Sequence, residues 1–85
     1  MTTKEKLLKK FLENPNTLNY KEIEKILFMF EYIKINAKWS HLKYKHKLIR
    51  NDLILPIHNW DCKEHYKNQA KENILFIIKD KWNTI

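Results

Sequence analysis

The spacing of apolar residues changes twice along this 85-residue chain, and these changes limit the possible folds more than any other feature. In residues 3–13 and 20–30, apolar side chains recur every three or four positions, as they do on one side of a helix. In residues 33–48 they alternate with polar ones, which is the spacing of half-buried strands. A short apolar segment, 53–57, precedes a return to helical spacing over 63–82. The pattern predicts two helices, three strands and a last helix.

Residues with known preferences for helix ends support these boundaries. Pro15 disfavours helical geometry at the residue before it and ends the first helix. Asn19, with Glu22 three positions later, has the pattern of a capping box at the start of the second helix. Asp61 and Glu64 have the same pattern before the last helix. Each predicted helix therefore has a local signal at one of its ends.

The strand segments follow one another with short connections, which favours an antiparallel sheet. Residues 48–52 are predicted to be the turn between the second and third strands. Pro56 cannot donate a backbone hydrogen bond, so it belongs near a strand end or at a sheet edge. We predict an α+β two-layer domain, a three-stranded antiparallel sheet with helices on one face. Residues 1–17 are interpreted as an N-terminal helical extension and residues 18–85 as the domain itself.

The alternation also predicts which strand residues are buried. On the first strand, Ile33 and Ile35 fall on the apolar side and Lys34 on the polar side. On the second strand, His46 falls in the apolar register, so we interpret it as a core or edge histidine.

The polar register of the second strand contains the strongest candidate for chemistry. A regular strand places His41 on one face with Lys43, Lys45 and Lys47, and only a bulge would change this. Histidine serves as a general acid or base near neutral pH, and lysines hold phosphate and stabilise developing negative charge. His41 with Lys38, Lys43 and Lys45 is therefore a minimal set for metal-independent RNA cleavage. The alternative is an exposed histidine on an ordinary charged strand.

Charge and composition favour a nucleic-acid partner without proving one. The net charge is +7, and Arg50 is the single arginine among 17 cationic residues. Lysine contacts phosphate as a mobile point charge, which suits sequence-tolerant backbone contact more than base reading. The alternative is that AT-rich coding inflated the lysine content.

The sequence also indicates where the protein is located. Cys62 is the single cysteine, no apolar run could span a bilayer, and the N-terminus does not resemble a secretory signal. We therefore expect a cytoplasmic protein without membrane contact.

The remaining histidines and Cys62 have weaker signals. His58 follows the third strand and is interpreted either as a functional residue or as one that stabilises the strand–helix corner. His65 is expected to be exposed. The spacing Cys62-x-x-His65 has no second ligand pair, so we predict no metal site and no cofactor. Nothing near Cys62 identifies it as a nucleophile.

Several large apolar residues have two interpretations each. Trp39 and Trp60 flank the proposed site, where they would either stack on single-stranded bases or cover the edge of a small core. Phe28, Leu75 and Phe76 lie off the helical stripes and either widen the core or form an exposed patch.

The order of these motifs resembles the HicA family of bacterial toxins, messenger-RNA interferases that a HicB antitoxin neutralises. The similarity covers about residues 18–82: a helix, a strand ending in Ser40-His41, a lysine-rich strand, a strand ending in Pro56-x-His58, and a last helix. The family usually has glycine before Ser-His, where this chain has Trp39, and glycine at the end of the preceding helix, where this chain has Glu31.

The resemblance implies a fold like that of double-stranded-RNA-binding domains, with His41 as the catalytic residue of an endoribonuclease. It also implies RNA contacts by Lys38, Ser40, Lys43, Lys45 and His58, and a HicB-like antitoxin as protein partner. A homo-oligomer, or a hetero-oligomer with the antitoxin, is compatible with this reading. Because both glycines are replaced, the alternative is a non-catalytic module that binds RNA or the antitoxin through a decayed site.

Overall fold

The computed structural model describes residues 3–35 and 41–83, with side chains up to residue 80. Within these residues, three helices and three strands occur in the predicted order, with one short 3₁₀ helix between the first two helices. Their bounds are α1 Thr3–Glu13, the 3₁₀ helix Pro15–Thr17, α2 Tyr20–Met29, β1 Ile33–Ile35, β2 His41–His46, β3 Ile49–Pro56 and α3 Glu64–Asn83. The strands form one antiparallel sheet in the order β1-β2-β3. The predicted α+β class is confirmed.

The helices cover one face of the sheet and enclose a single core. Side chains from all three helices and from the inner side of β2 and β3 are buried together, including Phe11, Ile26, Tyr44, Leu55 and Ile74. Phe11 belongs to α1, so the N-terminal helix contributes to the same core as the rest of the chain.

None of the described helices is long and apolar enough to cross a membrane.

The start of α2 agrees with its sequence signal. The Asn19 side chain accepts from the Glu22 N–H at 3.0 Å, and the Glu22 carboxylate accepts from the Asn19 N–H at 3.2 Å. This reciprocal pair satisfies two backbone donors that the first turn of a helix leaves without partners. The predicted capping box is therefore confirmed.

The predicted capping box at Asp61 and Glu64 is wrong. Helix α3 begins at Glu64, and the Lys63 carbonyl accepts the first helical bonds, from the Tyr66 and Lys67 N–H groups at 3.1 and 3.4 Å. The cap position is therefore Lys63. The Asp61 carboxylate instead holds groups of other elements, a role that the local spacing does not reveal.

Helix α2 ends in a Schellman motif that uses a residue other than glycine. The Tyr32 N–H donates to the Leu27 carbonyl at 3.0 Å, and the Glu31 N–H donates to the Phe28 carbonyl at 3.2 Å. Glu31 has a φ of 69°, in the left-handed region that glycine occupies most easily. The buried side chains of Leu27 and Tyr32 lie at the two positions whose apolar contact accompanies this motif.

The predicted turn at residues 48–52 is wrong. The β2–β3 turn is Lys47-Leu48, and His46 pairs directly with Ile49. Between the pairs Tyr44–Leu53 and His46–Ile49 the register shifts, because β3 has extra residues there. The polar run at 50–52 therefore lies in an irregular part of an edge strand, and its composition resembles that of a turn.

The faces predicted for β1 are reversed. Ile33 pairs with Lys45, and Ile33 is 69% exposed. Lys34 pairs with the buried Tyr44, and its ammonium lies 3.1 Å from the Glu24 carboxylate on α2. A long lysine at the sheet edge can extend past the core to a carboxylate, which a simple apolar–polar alternation does not anticipate. The part of the predicted first strand after residue 35 lies outside the described residues.

Candidate functional site

In the part of the chain that the structure describes, no helix covers the face of the sheet opposite α1, α2 and α3. Directly paired residues of an antiparallel sheet point to the same side, so the strand register assigns its members. We name them the outer face: Ile33, Ile35, His41, Lys43, Lys45, Ile54 and Pro56. Since the helices cover only the other side, a partner can approach this face.

The alternation of β2 is intact along its whole length. His41 and Lys45 are exposed, and Lys43 is half-buried, whereas Tyr44 and His46 are buried. The irregularity between Tyr44 and His46 places its extra residues in β3 rather than in β2. His41, Lys43 and Lys45 therefore lie on one face, as the sequence pattern predicts.

Positive charge on the outer face is only weakly neutralised. The Lys43 ammonium lies 3.8 Å from the Asp52 carboxylate, at the long end of the ion-pair range. Such partly exposed pairs contribute at most about 1 kcal/mol, so a phosphate could displace Asp52. Within the described part of the chain, Lys45 has no ion-pair partner.

His41 lies at the first position of β2, opposite Pro56. Proline has no N–H group, so the ladder at this pair lacks one donor, and β3 ends at Pro56. The His41 ring is exposed and has no hydrogen-bond partner among the described residues. An imidazole in this position can exchange a proton with a bound ligand.

His58 belongs to a tight turn beyond β3. The His58 N–H donates to the Asp61 carbonyl at 2.7 Å, and the Asp61 N–H donates back at 3.2 Å. Between them, Asn59 and Trp60 have φ values of 52° and 68°, as the two central residues of a type I′ turn require. His58 is exposed and follows Pro56, the partner of His41, by two positions, so both histidines lie at the same end of the sheet.

Trp60 is the most unusual residue of this turn. A bulky aromatic residue in the left-handed region costs about 1–2 kcal/mol relative to glycine. Trp60 is 86% exposed, so core burial does not offset this cost. The structure therefore excludes the interpretation that Trp60 covers a core edge, and leaves its ring available to a ligand. Trp39 lies outside the described residues.

Hydrogen bonds to the Asp61 carboxylate connect the turn at residues 58–61 to α2 and α3. The carboxylate accepts from the Tyr20 N–H at 2.9 Å, the Cys62 N–H at 2.9 Å and the Lys67 ammonium at 2.8 Å. Partial burial alone would raise the pKa of the Asp61 carboxyl, but the bonds from Lys67, Cys62 and Tyr20 hold the pKa below its ordinary value. Asp61 thus joins the turn to the start of α2 and to α3.

Cys62 is a core residue. Its thiol is buried, and this burial, with the nearby Asp61 carboxylate, raises its pKa. A thiol is nucleophilic as the thiolate, so this environment opposes nucleophilic catalysis. Among the described residues no group of three histidine, cysteine or acidic side chains could hold a metal ion.

The other two histidines have structural or peripheral positions. The buried His46 accepts from the Leu48 N–H at Nδ1, at 3.0 Å, and its Nε2 lies 2.8 Å from the Phe30 carbonyl. These bonds assign the neutral Nε2–H tautomer. His46 therefore joins the β2–β3 turn to the end of α2, and the interpretation as a core histidine is confirmed. His65 is exposed on α3, as predicted.

The structure therefore brings together part of the predicted site. His41, Lys43 and Lys45 share the outer face, and His58 lies at the same sheet end. Lys38 and Ser40 lie outside the described residues. Sequence reasoning missed the exposed isoleucines of this face, among them Ile54, which is 41% exposed. The alternation of Ile54 with the buried Leu53 and Leu55 is a signal that would have identified it.

No protein-family model matches the chain, and neither a curated protein nor a solved structure is significantly similar to it.

Proposed function

We propose that the outer face binds RNA and that His41 is the acid–base residue of a metal-independent endoribonuclease, the toxin of a toxin–antitoxin pair. The observation that carries the proposal is the position of His41, Lys43 and Lys45 on one open sheet face. The three side chains together supply a proton-transfer group and two cations within one strand. The ordered motifs that resemble HicA toxins support the same function.

The chemistry needs only groups of this kind. A neutral His41 imidazole would take the proton of a ribose 2′-hydroxyl, whose oxygen attacks the adjacent phosphorus and displaces the 5′-oxygen. The products would be a 2′,3′-cyclic phosphate and a new 5′-hydroxyl, the latter protonated by an acid or by water. Lys43 and Lys45 would stabilise the charge that develops on the phosphoryl oxygens. Lys38, Ser40 and His58 would contribute further RNA contacts.

The end of α2 offers additional support. Residue 31 has the left-handed conformation that glycine adopts most easily, and the HicA family usually has glycine at this helix end. The chain thus retains the backbone geometry of that motif with Glu31 in place of glycine. This is an argument for the resemblance and is independent of the histidines.

His41→Ala tests the catalytic role, and His65→Ala is the matched control because both histidines are exposed. Fluorescently labelled RNA is incubated with purified protein in the presence of a chelator. We expect His41→Ala to lose cleavage by at least about a hundredfold, with an unchanged circular dichroism spectrum, and His65→Ala to cleave normally. Cleavage by His41→Ala at the wild-type rate would refute the assignment.

RNA binding is measured separately from cleavage. Lys45→Ala should lower affinity for RNA of any sequence and reduce the slope of log K against log salt by about one. Lys79→Ala, an exposed lysine on α3, is the control and should leave the slope unchanged. Equal slopes for Lys45→Ala and wild type would argue against phosphate contact on the outer face.

One observation favours a second candidate, a non-catalytic module that binds RNA or an antitoxin. Ile33 and Ile54 are exposed on the same face as His41 and give it an apolar component that phosphate binding does not need. Such residues are typical of a surface that another protein covers. Salt-sensitive RNA binding without cleavage by the wild-type protein would favour this candidate, as would Ile33→Glu/Ile54→Glu losing a HicB-like partner.

A further inference from the structure

A second surface lies between α1 and α2, on the helical side of the domain. It is a groove of about 770 Å³ with an apolar floor and a basic rim. The floor is formed by Leu7, Phe28 and Met29, and Thr3 and Glu22 complete the lining with the lysines of the rim. The rim lysines are Lys4, Lys6, Lys10 and Lys25.

The rim of the groove is rich in positive charge, because four of its residues are lysines. Among the described residues, none of the four rim lysines forms an ion pair. Among the described lining residues, Glu22 is the one with an acidic side chain, and its carboxylate accepts from the Asn19 N–H at the start of α2. In the described part of the chain, the groove therefore has four lysines without an ion-pair partner around an apolar strip.

The floor of the groove is exposed yet held in place. Phe28 is 46% exposed, and its ring meets that of Tyr44 edge to face at a centroid distance of 6.3 Å. The Tyr44 ring is fully buried, and its hydroxyl donates to the Glu24 carboxylate. The buried Tyr44 therefore holds the Phe28 ring in place. The apolar strip is thus formed before a partner binds.

The solvent exposure of the lining residues indicates what kind of partner the groove binds. All of the lining residues are exposed or half-buried, so a small ligand would keep much of its own surface in water, unlike ligands of enclosed pockets. A groove between two helices accommodates a third helix, which places apolar side chains at i, i+3, i+4 and i+7 along the floor. The lysines on the rim would then meet acidic residues beside that apolar face.

We infer that the α1–α2 groove binds an acidic amphipathic helix of a protein partner. The apolar face of that helix contacts Leu7, Phe28 and Met29, and its carboxylates face the rim lysines. The inference does not depend on RNA cleavage, because the groove and the outer face lie on opposite sides of the sheet.

The test uses a panel of labelled synthetic helical peptides of about 18 residues, a length of about 27 Å. Each has leucine, phenylalanine or methionine on one face and glutamate on the other. A second panel has lysine in place of glutamate. Fluorescence anisotropy measures their affinity for the full chain, and amide chemical shifts locate the site. We expect at least one acidic peptide to bind and to shift groove resonances, and no basic peptide to do so.

Lys6→Glu/Lys25→Glu reverses the charge of the rim, and Lys63→Glu/Lys79→Glu is the control with the same net charge. The rim variant should bind the acidic peptide at least about tenfold more weakly, and the control should bind normally. His41→Ala should also bind normally, which separates this test from that of the ribonuclease.

Three results would overturn the inference. These are a lack of binding by every acidic peptide, equal loss in the rim and control variants, and chemical shift changes confined to the outer face. Vesicles of phosphatidylglycerol and phosphatidylcholine are run in parallel. Binding to these vesicles without binding to any peptide would identify a membrane surface instead and would also refute the proposed partner.

Discussion

The Asp61–Lys67 pair gives the sharpest prediction about stability, and Asp61→Asn is the change that tests it. The Lys67 side chain is only 6% exposed, and its ammonium lies 2.8 Å from the Asp61 carboxylate. Asparagine keeps an oxygen for the Tyr20 and Cys62 N–H groups but has no charge to offer the buried ammonium. The variant therefore removes the ionic partner and leaves most of the local geometry.

The expected cost follows from the burial of the two partners. Removing one partner of a fully buried pair costs about 3–5 kcal/mol, because the other charge stays buried without compensation. The Asp61 side chain is 39% exposed, so water already screens part of this interaction. We expect Asp61→Asn to lower the free energy of unfolding at pH 7 by about 2 kcal/mol. For a chain of this size that lowers the Tm by about 10 °C.

The pH dependence has a definite sign. The pKa of Asp61 is lower in the folded protein than in the unfolded chain, so its contribution is present above the unfolded pKa. This contribution is lost as the pH falls through the folded value. The difference in stability between wild type and Asp61→Asn should therefore be constant near neutrality and narrow below about pH 4.

Urea denaturation followed by circular dichroism measures these differences, and Lys67→Met provides the essential second background. Methionine has a similar length and no charge, so in this background Asp61→Asn should cost less than about 1 kcal/mol. The exposed pair Lys47–Glu31, at 3.9 Å, is the control, and Lys47→Met should change stability by less than about 0.5 kcal/mol. An equal cost of Asp61→Asn with and without Lys67 would refute the reasoning.

Four further substitutions test individual features of the fold, all by urea denaturation. Glu31→Gly should stabilise the protein by about 1 kcal/mol, because residue 31 has a φ of 69° that glycine adopts without strain; a loss of stability would contradict this explanation. Trp60→Gly should also stabilise by about 1 kcal/mol for the same reason, and Asn59→Gly by less, since asparagine tolerates the left-handed region. If Trp60→Gly destabilises instead, the Trp60 ring contributes packing that its exposure does not suggest. Tyr44→Phe should cost about 1 kcal/mol, because the buried hydroxyl donates to Glu24 and burial keeps its pKa well above the ordinary value; an unchanged midpoint would mean that this bond contributes nothing net.

Local signals in the sequence predicted most element boundaries. The helical period identified α1 with its observed bounds, and the Asn19–Glu22 spacing identified the start of α2. These features depend on residues a few positions apart, which interact in the same way in almost any fold. The Asp61–Glu64 spacing has the same pattern, but the capping box predicted from it was wrong. Tyr20 and Lys67 donate to the Asp61 carboxylate instead.

The site was predictable only in part, for a related reason. The alternation in β2 placed His41 with Lys43 and Lys45, since side chains of one strand alternate whatever their neighbours are. The isoleucines of β1 were assigned to the wrong side, because the side of a strand that is buried depends on its pairing partner. Lys34 lies beside Tyr44 and pairs with Glu24, so Ile33 faces solvent.

The sequence by itself determined the order of elements, the period of each and the co-facial position of His41 and its lysines. These depend on backbone geometry over a few residues, which the chain carries wherever it folds. Only the tertiary structure decided which side of the sheet the helices cover, how Asp61 and Lys67 hold the turn beside His58, and that a basic groove lies between α1 and α2. Such features arise from residues far apart in the chain, because packing and burial are properties of the assembled core.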